Sequence, residues 1–230
     1  MHFEILYRPA HTLAVAHLNP NESVRAEAGA MVGMTNNVQT DTQGPSQGKG
    51  GVGGFLKGLG RAMMGGESFF TNTFTAQGGQ GHVTLAPSLC GDMIVHELQG
   101  DQLVIQGSSY VAAPDSVQID TQFQGFKGFF SGESMFFLTA TGHGPVLVNA
   151  FGGIEAIDLN GEMIVDTGHI VAFSSTISYT IHKANKGFIS SMLSGEGLVL
   201  KLSGQGRLYV QSRNPNEYGA TVGAMLPPKG

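Results

Sequence analysis

The chain of 230 residues is rich in glycine and poor in charged side chains. It contains 35 glycines, while hydrophobic residues make up 41% and charged residues only 13% of it. A chain this apolar can bury a sizeable core, which excludes disorder as its main state. Its net charge of −5 gives no general attraction to phosphate backbones, so we expect no nucleic-acid partner. The composition favours an all-β protein of short strands over a helical bundle.

The N-terminus and the single cysteine bear on the cellular compartment. The first residues, MHFE, lack the basic-then-apolar order of a signal peptide, and no apolar run approaches the roughly 18 residues of a spanning helix. One cysteine excludes an internal disulfide. We therefore expect a cytoplasmic protein that is not transmembrane. Cys90 has no basic neighbour in sequence, which favours a buried or half-buried structural thiol over a nucleophile.

Three segments of the chain align with one another almost without gaps, at residues 15–41, 95–120 and 156–181. Each contains a leucine, then an amide side chain, then proline or glycine, as in Leu18-Asn19-Pro20. Apolar residues alternate with small or polar ones, a pattern typical of strands. The pair Asn160-Gly161 predicts a hairpin turn, because both residues tolerate positive φ.

A second recurring block begins with a Gly-Glu pair, at Gly66, Gly132 and Gly195, and the successive pairs lie 66 and 63 residues apart. Each pair is expected to open a strand that turns, at a glycine-rich step, into another strand. The steps are Gly81-His82-Val83, Gly144-Pro145-Val146 and Gly206-Arg207-Leu208. This period predicts a single domain over residues 1–230, with three β repeats and pseudo-threefold symmetry. A closed ring would need the C-terminal strands to complete the first repeat.

The segments GGESFFTNTFTA (residues 65–76) and LAPSLCGDM (residues 85–93), with the trebled hairpins, resemble bacterial members of the altered-inheritance-of-mitochondria family. The resemblance extends over essentially the whole chain. It implies a fold like that of the tryptophan RNA-binding attenuation protein, with three repeats about a pseudo-threefold axis. It implies no enzymatic activity, and eukaryotic relatives are associated with mitochondrial inner-membrane organisation. A shared fold alone does not carry RNA binding to this chain.

Residues 43–66 differ in composition from the rest of the chain. The Gly-rich part, residues 43–54, predicts a flexible insertion, and one short helix is predicted after it. Gly58 and Gly60 cost such a helix about 1 kcal/mol each relative to alanine, so it needs a surface to pack on. That surface is its own β body, a partner protein or a membrane surface. A phosphate cradle at residues 48–51 lacks the full P-loop spacing.

Apolar residues also precede the Gly-Glu pairs of the other two repeats. Under threefold symmetry the three segments cluster at one end of the β body, where they form either lids over a core or an exposed apolar end. We expect an exposed end that serves self-association or partner binding. Its candidate residues are Phe55, Leu59, Met63, Phe126, Phe129, Phe130, Phe188, Met192 and Leu193.

Catalytic and metal-binding patterns are weak throughout the chain. Glu67, Glu133 and Glu196 occupy equivalent places and would suit a hard cation such as Ca²⁺ if they converged, but capping of backbone donors is the favoured interpretation. His82 and His143 have no third histidine in the matching place, where Arg207 stands. The letters of a nucleophile elbow at residues 44–48 fall in the flexible insertion. We predict no catalytic residue, no metal and no cofactor.

The C-terminal residues 214–230 show little periodicity and contain three prolines. A strand over Tyr218–Met225 is predicted there, followed by a surface arm.

The favoured function is a non-catalytic scaffold or binding protein that acts through an apolar end and forms a homo-oligomer. A small-ligand or lipid-binding module with a pocket between repeats is the first alternative, and an enzyme is the second.

Overall fold

The computed structural model describes residues 1–43, 71–122, 136–183 and 198–227, and these residues are mostly β. The strands, in chain order, are β1 His2–Leu6, β2 Leu13–Leu18, β3 Ser23–Glu27, β4 Met31–Met34, β5 Val38–Gln43, β6 Thr71–Ala76, β7 Gly81–Leu85, β8 Met93–Gln106, β9 Tyr110–Pro114, β10 Val117–Gln122, β11 Phe137–Asn149, β12 Ile154–Asp166, β13 Ile170–Ser174, β14 Ile177–Lys183 and β15 Leu198–Gln211. Two 3₁₀ turns, Gly107–Ser109 and Thr167–His169, and one α-helix, α1 at Pro215–Met225, complete the described part. The all-β prediction is confirmed. The Gly-rich insertion after Gln43, its short helix and the three Gly-Glu pairs lie outside the described residues.

The strands form two sheets with antiparallel pairing throughout their ladders. The smaller sheet has the order β1-β2-β7-β4. The larger sheet follows the path β12-β15-β13-β8-β11-β9-β3-β6-β5, with β10 added to β11 and β14 added to β15. Because β2 and β7 belong to the smaller sheet while β3 and β6 belong to the larger one, the N-terminal part of the chain links the two sheets.

Glycine-rich steps bend the long strands β11, β12 and β15 instead of ending them, so the predicted hairpin turn at Asn160-Gly161 is wrong. Both residues lie inside β12, where Gly161 is paired with Gly204 of β15. These two glycines have positive φ, 123° and 143°, which lets both strands bend while the ladder between them continues. The steps at Gly144 and Gly206 likewise lie inside β11 and β15. Full-length pairing outweighs the local turn preference.

The C-terminal strand does not complete the N-terminal hairpins, and the prediction that it would is wrong. β15 pairs with β12, β13 and β14. The N-terminal strands already have neighbours on both sides, since β2 lies between β1 and β7, and β3 lies between β6 and β9. No place beside them is therefore left for β15, and the sheets stay open.

The predicted strand over Tyr218–Met225 is a helix. The side chain of Asn214 caps α1 by accepting hydrogen bonds from the backbone N–H groups of Asn216 and Glu217, at 3.0 and 3.4 Å. Pro215 begins the helix and Glu217 places an acid in its first turn, both of which favour a helix start. These signals outweigh the weak strand pattern of Tyr218 and Val222.

Cys90 is exposed, so the prediction of a buried or half-buried thiol is wrong. It lies in the connection between β7 and β8, and such connections run over protein surfaces because their backbone groups need water.

The core consists of three clusters that follow one another along the larger sheet. The first surrounds Phe74 and Leu85 and includes Val111 of β9. The second surrounds Leu103 and Leu138 and includes Val171 of β13. The third surrounds Phe173, Leu200 and Leu208, and Phe137 of β11 packs into it. Neighbouring parts of the chain thus supply residues to each other's cores.

Candidate binding surface

The predicted apolar end lies outside the described residues in all nine of its members. These are Phe55, Leu59, Met63, Phe126, Phe129, Phe130, Phe188, Met192 and Leu193. Glu67, Glu133 and Glu196 also lie outside them. The exposure of this end and the role of the three glutamates therefore stay predictions.

A different apolar surface is present on β4, which the sequence did not single out. Met31, Val32 and Met34 are 42%, 61% and 41% exposed. β4 pairs with β7 on one side, where Met31 lies opposite Leu85 and Met34 opposite Val83, and its ladder has a bulge at Val32. The other side of β4 has no strand beside it among the described residues. Its backbone groups and its three apolar side chains form an open edge.

The strands β9 and β13 have similar apolar sequences but are buried, because each has a neighbouring strand on both sides. β9 lies between β11 and β3, and β13 lies between β15 and β8. The residues Tyr110 to Ala113 and Ile170 to Phe173 are all at most 1% exposed. β4 is therefore exposed because it has one neighbour, and not because its residues are polar.

A second open edge lies on β12. This strand pairs with β15 over its whole length and has no strand on its other side in the described chain. Ile164 on this strand is 49% exposed. Two carboxylates lie two residues from Ile164 on the strand. That of Glu162 is 2.9 Å from the ammonium of Lys201, and that of Asp166 accepts hydrogen bonds from the Gly168 N–H and the Asn214 amide. The β12 edge, like β4, offers an exposed apolar residue, and the carboxylates beside it already have partners.

A small pocket of about 80 Å³ lies where distant parts of the chain meet. Its lining includes Glu27 at the end of β3, Ser108 in a 3₁₀ turn, Phe151 before β12, and Gln211 at the end of β15. The Gln211 amide is held in place, since its oxygen accepts from the N–H of Phe151 at 2.7 Å and its nitrogen donates to the carbonyl of Gly168 at 2.8 Å. The volume suits a few waters or a small polar group, and it is well below the 300–1,000 Å³ or so of typical ligand pockets.

The carboxyl group of Glu27 is the titratable group of this pocket. It is half-buried, and burial raises its pKa to about 7 because a low-dielectric surrounding disfavours the charged form. Within the described residues no cation or hydrogen-bond donor compensates it. Perturbed carboxyls of this kind mark candidate functional sites as well as structural ones.

Three histidines form a row across the outer face of the smaller sheet. The rings of His2 and His17 stack with centroids 4.7 Å apart, and the ring of His82 lies 6.4 Å from that of His17. His17 Nε2 is 3.0 Å from a carboxylate oxygen of Glu4. No group of three His, Cys, Asp or Glu side chains in the described part of the chain has an arrangement that could hold a metal ion. His143 lies on the larger sheet, away from this row in the strand order.

Comparison with known proteins decides the family. The model of the mitochondrial biogenesis AIM24 family matches residues 3–213. The chain belongs to the AIM24 family. The resemblance seen in the sequence is thereby confirmed. An uncharacterised Streptococcus pyogenes serotype M6 protein is 35% identical over 230 residues, which cover 99% of this chain and 92% of that protein.

A solved structure supports the same assignment. The crystal structure of a Streptococcus pyogenes protein from a structural-genomics programme is 32% identical to this AIM24 chain, with a TM-score of 0.78. The match covers 98% of this chain and 99% of that one. Neither protein's name states an activity. Within the described residues, no helix is long and apolar enough to cross a bilayer.

Proposed function

We propose that this AIM24 protein is a non-catalytic scaffold or binding protein that self-associates through apolar surface. The observation that carries the proposal is the open apolar edge of β4. Edge strands in soluble proteins are ordinarily protected by charges, proline or a covering element, whereas β4 has the sequence Met-Val-Gly-Met. A strand of this kind is a template for pairing with another chain.

We further propose that the chain consists of three β repeats. Residues 24–38, 103–117 and 163–177 align without a gap, and this alignment matches β4 with β9 and β13. Support comes from the strand pairs at matching positions. Ala26 of β3 is opposite Ala112 of β9, and Ile105 of β8 is opposite Ala172 of β13. The side chains of Gln106 and Asp166, also matched, each accept a hydrogen bond from the backbone N–H two residues later.

The expected association is weak to moderate. Full burial of a Val or Met side chain contributes about 1.5–3 kcal/mol, and the three β4 residues have roughly half of that left to gain. This gain is offset by the loss of translational and rotational freedom on association. We therefore expect a dissociation constant of about 1–100 μM, in the range of small protein interfaces.

The proposed self-association is tested by sedimentation or light scattering across that concentration range. The wild-type mass is expected to rise above the 24.1 kDa of one chain as concentration increases. Val32→Lys should hold the protein at the mass of one chain, because the lysine cannot enter an apolar contact. Met225→Lys changes an even more exposed residue on α1 and should leave the wild-type behaviour unchanged. A wild-type protein that stays at 24.1 kDa at every concentration would refute the proposal.

The pocket at Glu27 favours a second candidate function, the binding of a small polar ligand. Its volume of about 80 Å³ has no room for a lipid chain. Native mass spectrometry of gently purified protein is expected to show a small adduct that Glu27→Gln removes and that replacement of the exposed Glu155 leaves in place. Bare chains in all three samples would refute this second candidate.

A further inference from the structure

We propose that β4 of one copy pairs with the free edge of β12 in a second copy, so that the protein assembles head to tail. The inference rests on the proposed self-association and names its two surfaces. It differs from a contact between two copies of the same edge, because each copy contributes β4 to one neighbour and β12 to the other.

The two open edges stand out from the other strands by their exposed apolar residues. Among the described strands, the large hydrophobic side chains that are exposed are Met31, Val32 and Met34 on β4 and Ile164 on β12. The strands β1, β5, β10 and β14 also have a free side. None of the described side chains on those four strands is an exposed large hydrophobic residue. Among the described strands, exposed large apolar side chains are thus confined to these two.

The pairing proposed between copies is one that the chain already makes twice internally. β9 pairs antiparallel with β3, and β13 pairs antiparallel with β8. In the alignment of the three repeats, β4 occupies the same position as β9 and β13. The C-terminal half of β12 occupies the same position as β3 and as the C-terminal half of β8. In the first group of strands β4 has no such partner, and in the second group β12 has none. Since both unpaired edges belong to one sequence, a second copy supplies the complementary edge to each of them.

The internal pairs also fix the register of the contact. Arg25 lies opposite Ala113 and Val104 lies opposite Phe173. The matching pair is Ile164 opposite Met34, which places the two exposed side chains against each other. Such directly opposed residues in antiparallel strands have Cβ atoms about 4.5–5.5 Å apart.

The contact would also fill the third core cluster. Val111 of β9 belongs to the first cluster and Val171 of β13 to the second, and both are fully buried. The third cluster, which contains Val165 of β12, includes no residue of β4 among the described ones. Val32 is the matching valine. In the head-to-tail contact it enters the third cluster of the neighbouring copy, where burial replaces its exposure to water.

The electrostatics of the two edges agree with this contact. β4 has no charged residue. On β12, Glu162 is paired with Lys201, and Asp158 with Arg207 at 2.8 Å. Asp166, two residues from Ile164, accepts hydrogen bonds from the Gly168 N–H at 2.7 Å and from the Asn214 amide at 3.4 Å. The carboxylates on either side of Ile164 therefore keep their partners when the strands meet, which lowers the main cost of such an interface. A head-to-tail contact gives a ring where its rotation closes and a filament where it does not.

The test mixes two proteins that carry one cysteine each, in a Cys90→Ser background. Met34→Cys and Ile164→Cys are oxidised alone and together at the concentration where the wild type associates. The expected result is a disulfide-linked species of twice the single-chain mass in the mixture and in neither protein alone. A mixture of Met225→Cys with Ile164→Cys is the matched control and should give no such species. Adding Val32→Lys to the Met34→Cys protein should abolish the cross-link.

Four results would overturn the inference. A cross-link in Met34→Cys alone would show that β4 meets β4. An internal disulfide in a chain carrying both cysteines, with none between chains in the mixture, would show that the two edges meet within one molecule. Wild-type oligomers without a cross-link in the mixture would refute these two surfaces and leave the proposed self-association standing. A wild type that stays monomeric would refute both.

Discussion

The strands β13 and β4 have similar sequences and opposite surroundings. Ile170-Val171-Ala172-Phe173 lies between two strands and is buried, whereas Met31-Val32-Gly33-Met34 has one neighbour and is exposed. Both stretches are apolar enough for a core position. The comparison shows that burial of these apolar strands depends on whether each has a strand on both sides. β4 lacks the second neighbour, so its free edge can accept a strand from another chain.

The paired seam between β3 and β9 is also fixed by polar contacts. The hydroxyl of Tyr110 donates to the carbonyl of Arg25 at 2.9 Å. The guanidinium of Arg25 in turn donates to the carbonyl of Val117 at 2.9 Å and lies 3.6 Å from a carboxylate oxygen of Asp115. Long-range contacts of this kind make the seam a permanent part of the fold. For β4 the described residues show the ladder to β7 and one weak contact, between Thr40 Oγ1 and Met34 Sδ at 3.6 Å.

The largest expected difference in unfolding free energy comes from replacing the matching valines, Val171 of β13 and Val32 of β4, by lysine. Val171→Lys buries an ammonium in the second core cluster without a partner, and we expect a loss of more than about 4 kcal/mol in the free energy of unfolding. Val32→Lys should change it by less than about 0.5 kcal/mol, because the side chain stays in water. Denaturant unfolding at low protein concentration measures both. A large loss in Val32→Lys would mean that β4 is buried in the single chain.

Phe173 in β13 and Met34 in β4 occupy matching positions, and truncating each of them gives a smaller effect of the same kind. Phe173 packs edge-on against Phe137, with centroids 5.7 Å apart, and against Tyr179 at 5.4 Å. Phe173→Ala leaves a cavity and should cost about 3–5 kcal/mol of unfolding free energy. Met34→Ala should cost only about 1 kcal/mol in the dilute protein, because the side chain is already partly exposed. Equal losses in the two variants would erase the distinction between the paired and the open strand.

Glu27, at the end of the paired strand β3, gives a pH-dependent effect that is smaller still. Its pKa in the folded protein, about 7, lies above the ordinary value of 4.5, so its favourable contribution is complete below pH 4.5 and is lost as the pH rises through 7. Glu27→Gln should therefore raise the unfolding free energy by about 1–2 kcal/mol at pH 8, after allowance for solvent screening, and by about zero at pH 4.

The control for that effect is Glu155→Gln, at an exposed position of β12. Its unfolding free energy should follow that of the wild type at both pH values. A Glu27→Gln difference that does not change between pH 4 and pH 8 would contradict the raised pKa.

The sequence predicted the strand content because alternating apolar residues are a local signal. It mispredicted the bend at Gly161, since only the partner strand shows that a glycine step lies inside a continuous ladder. It also mispredicted α1, where the cap at Asn214 decides the structure. The exposure of β4 had no sequence signal, because Met31 to Met34 are as apolar as Ile170 to Phe173. Which strand lacks its second neighbour is a property of the whole fold.

Hydrogen exchange at two protein concentrations tests most directly the claim that β4 and β12 are open edges that close on a second copy. We expect the outward-facing amides within residues 31–34 and 162–166, which do not bond to β7 or β15, to exchange rapidly in dilute protein and to become protected at the higher concentration. Residues 110–113 and 170–173 should be protected to the same extent at both. Protection of residues 31–34 that does not depend on concentration, whether strong or absent at both, would contradict the account.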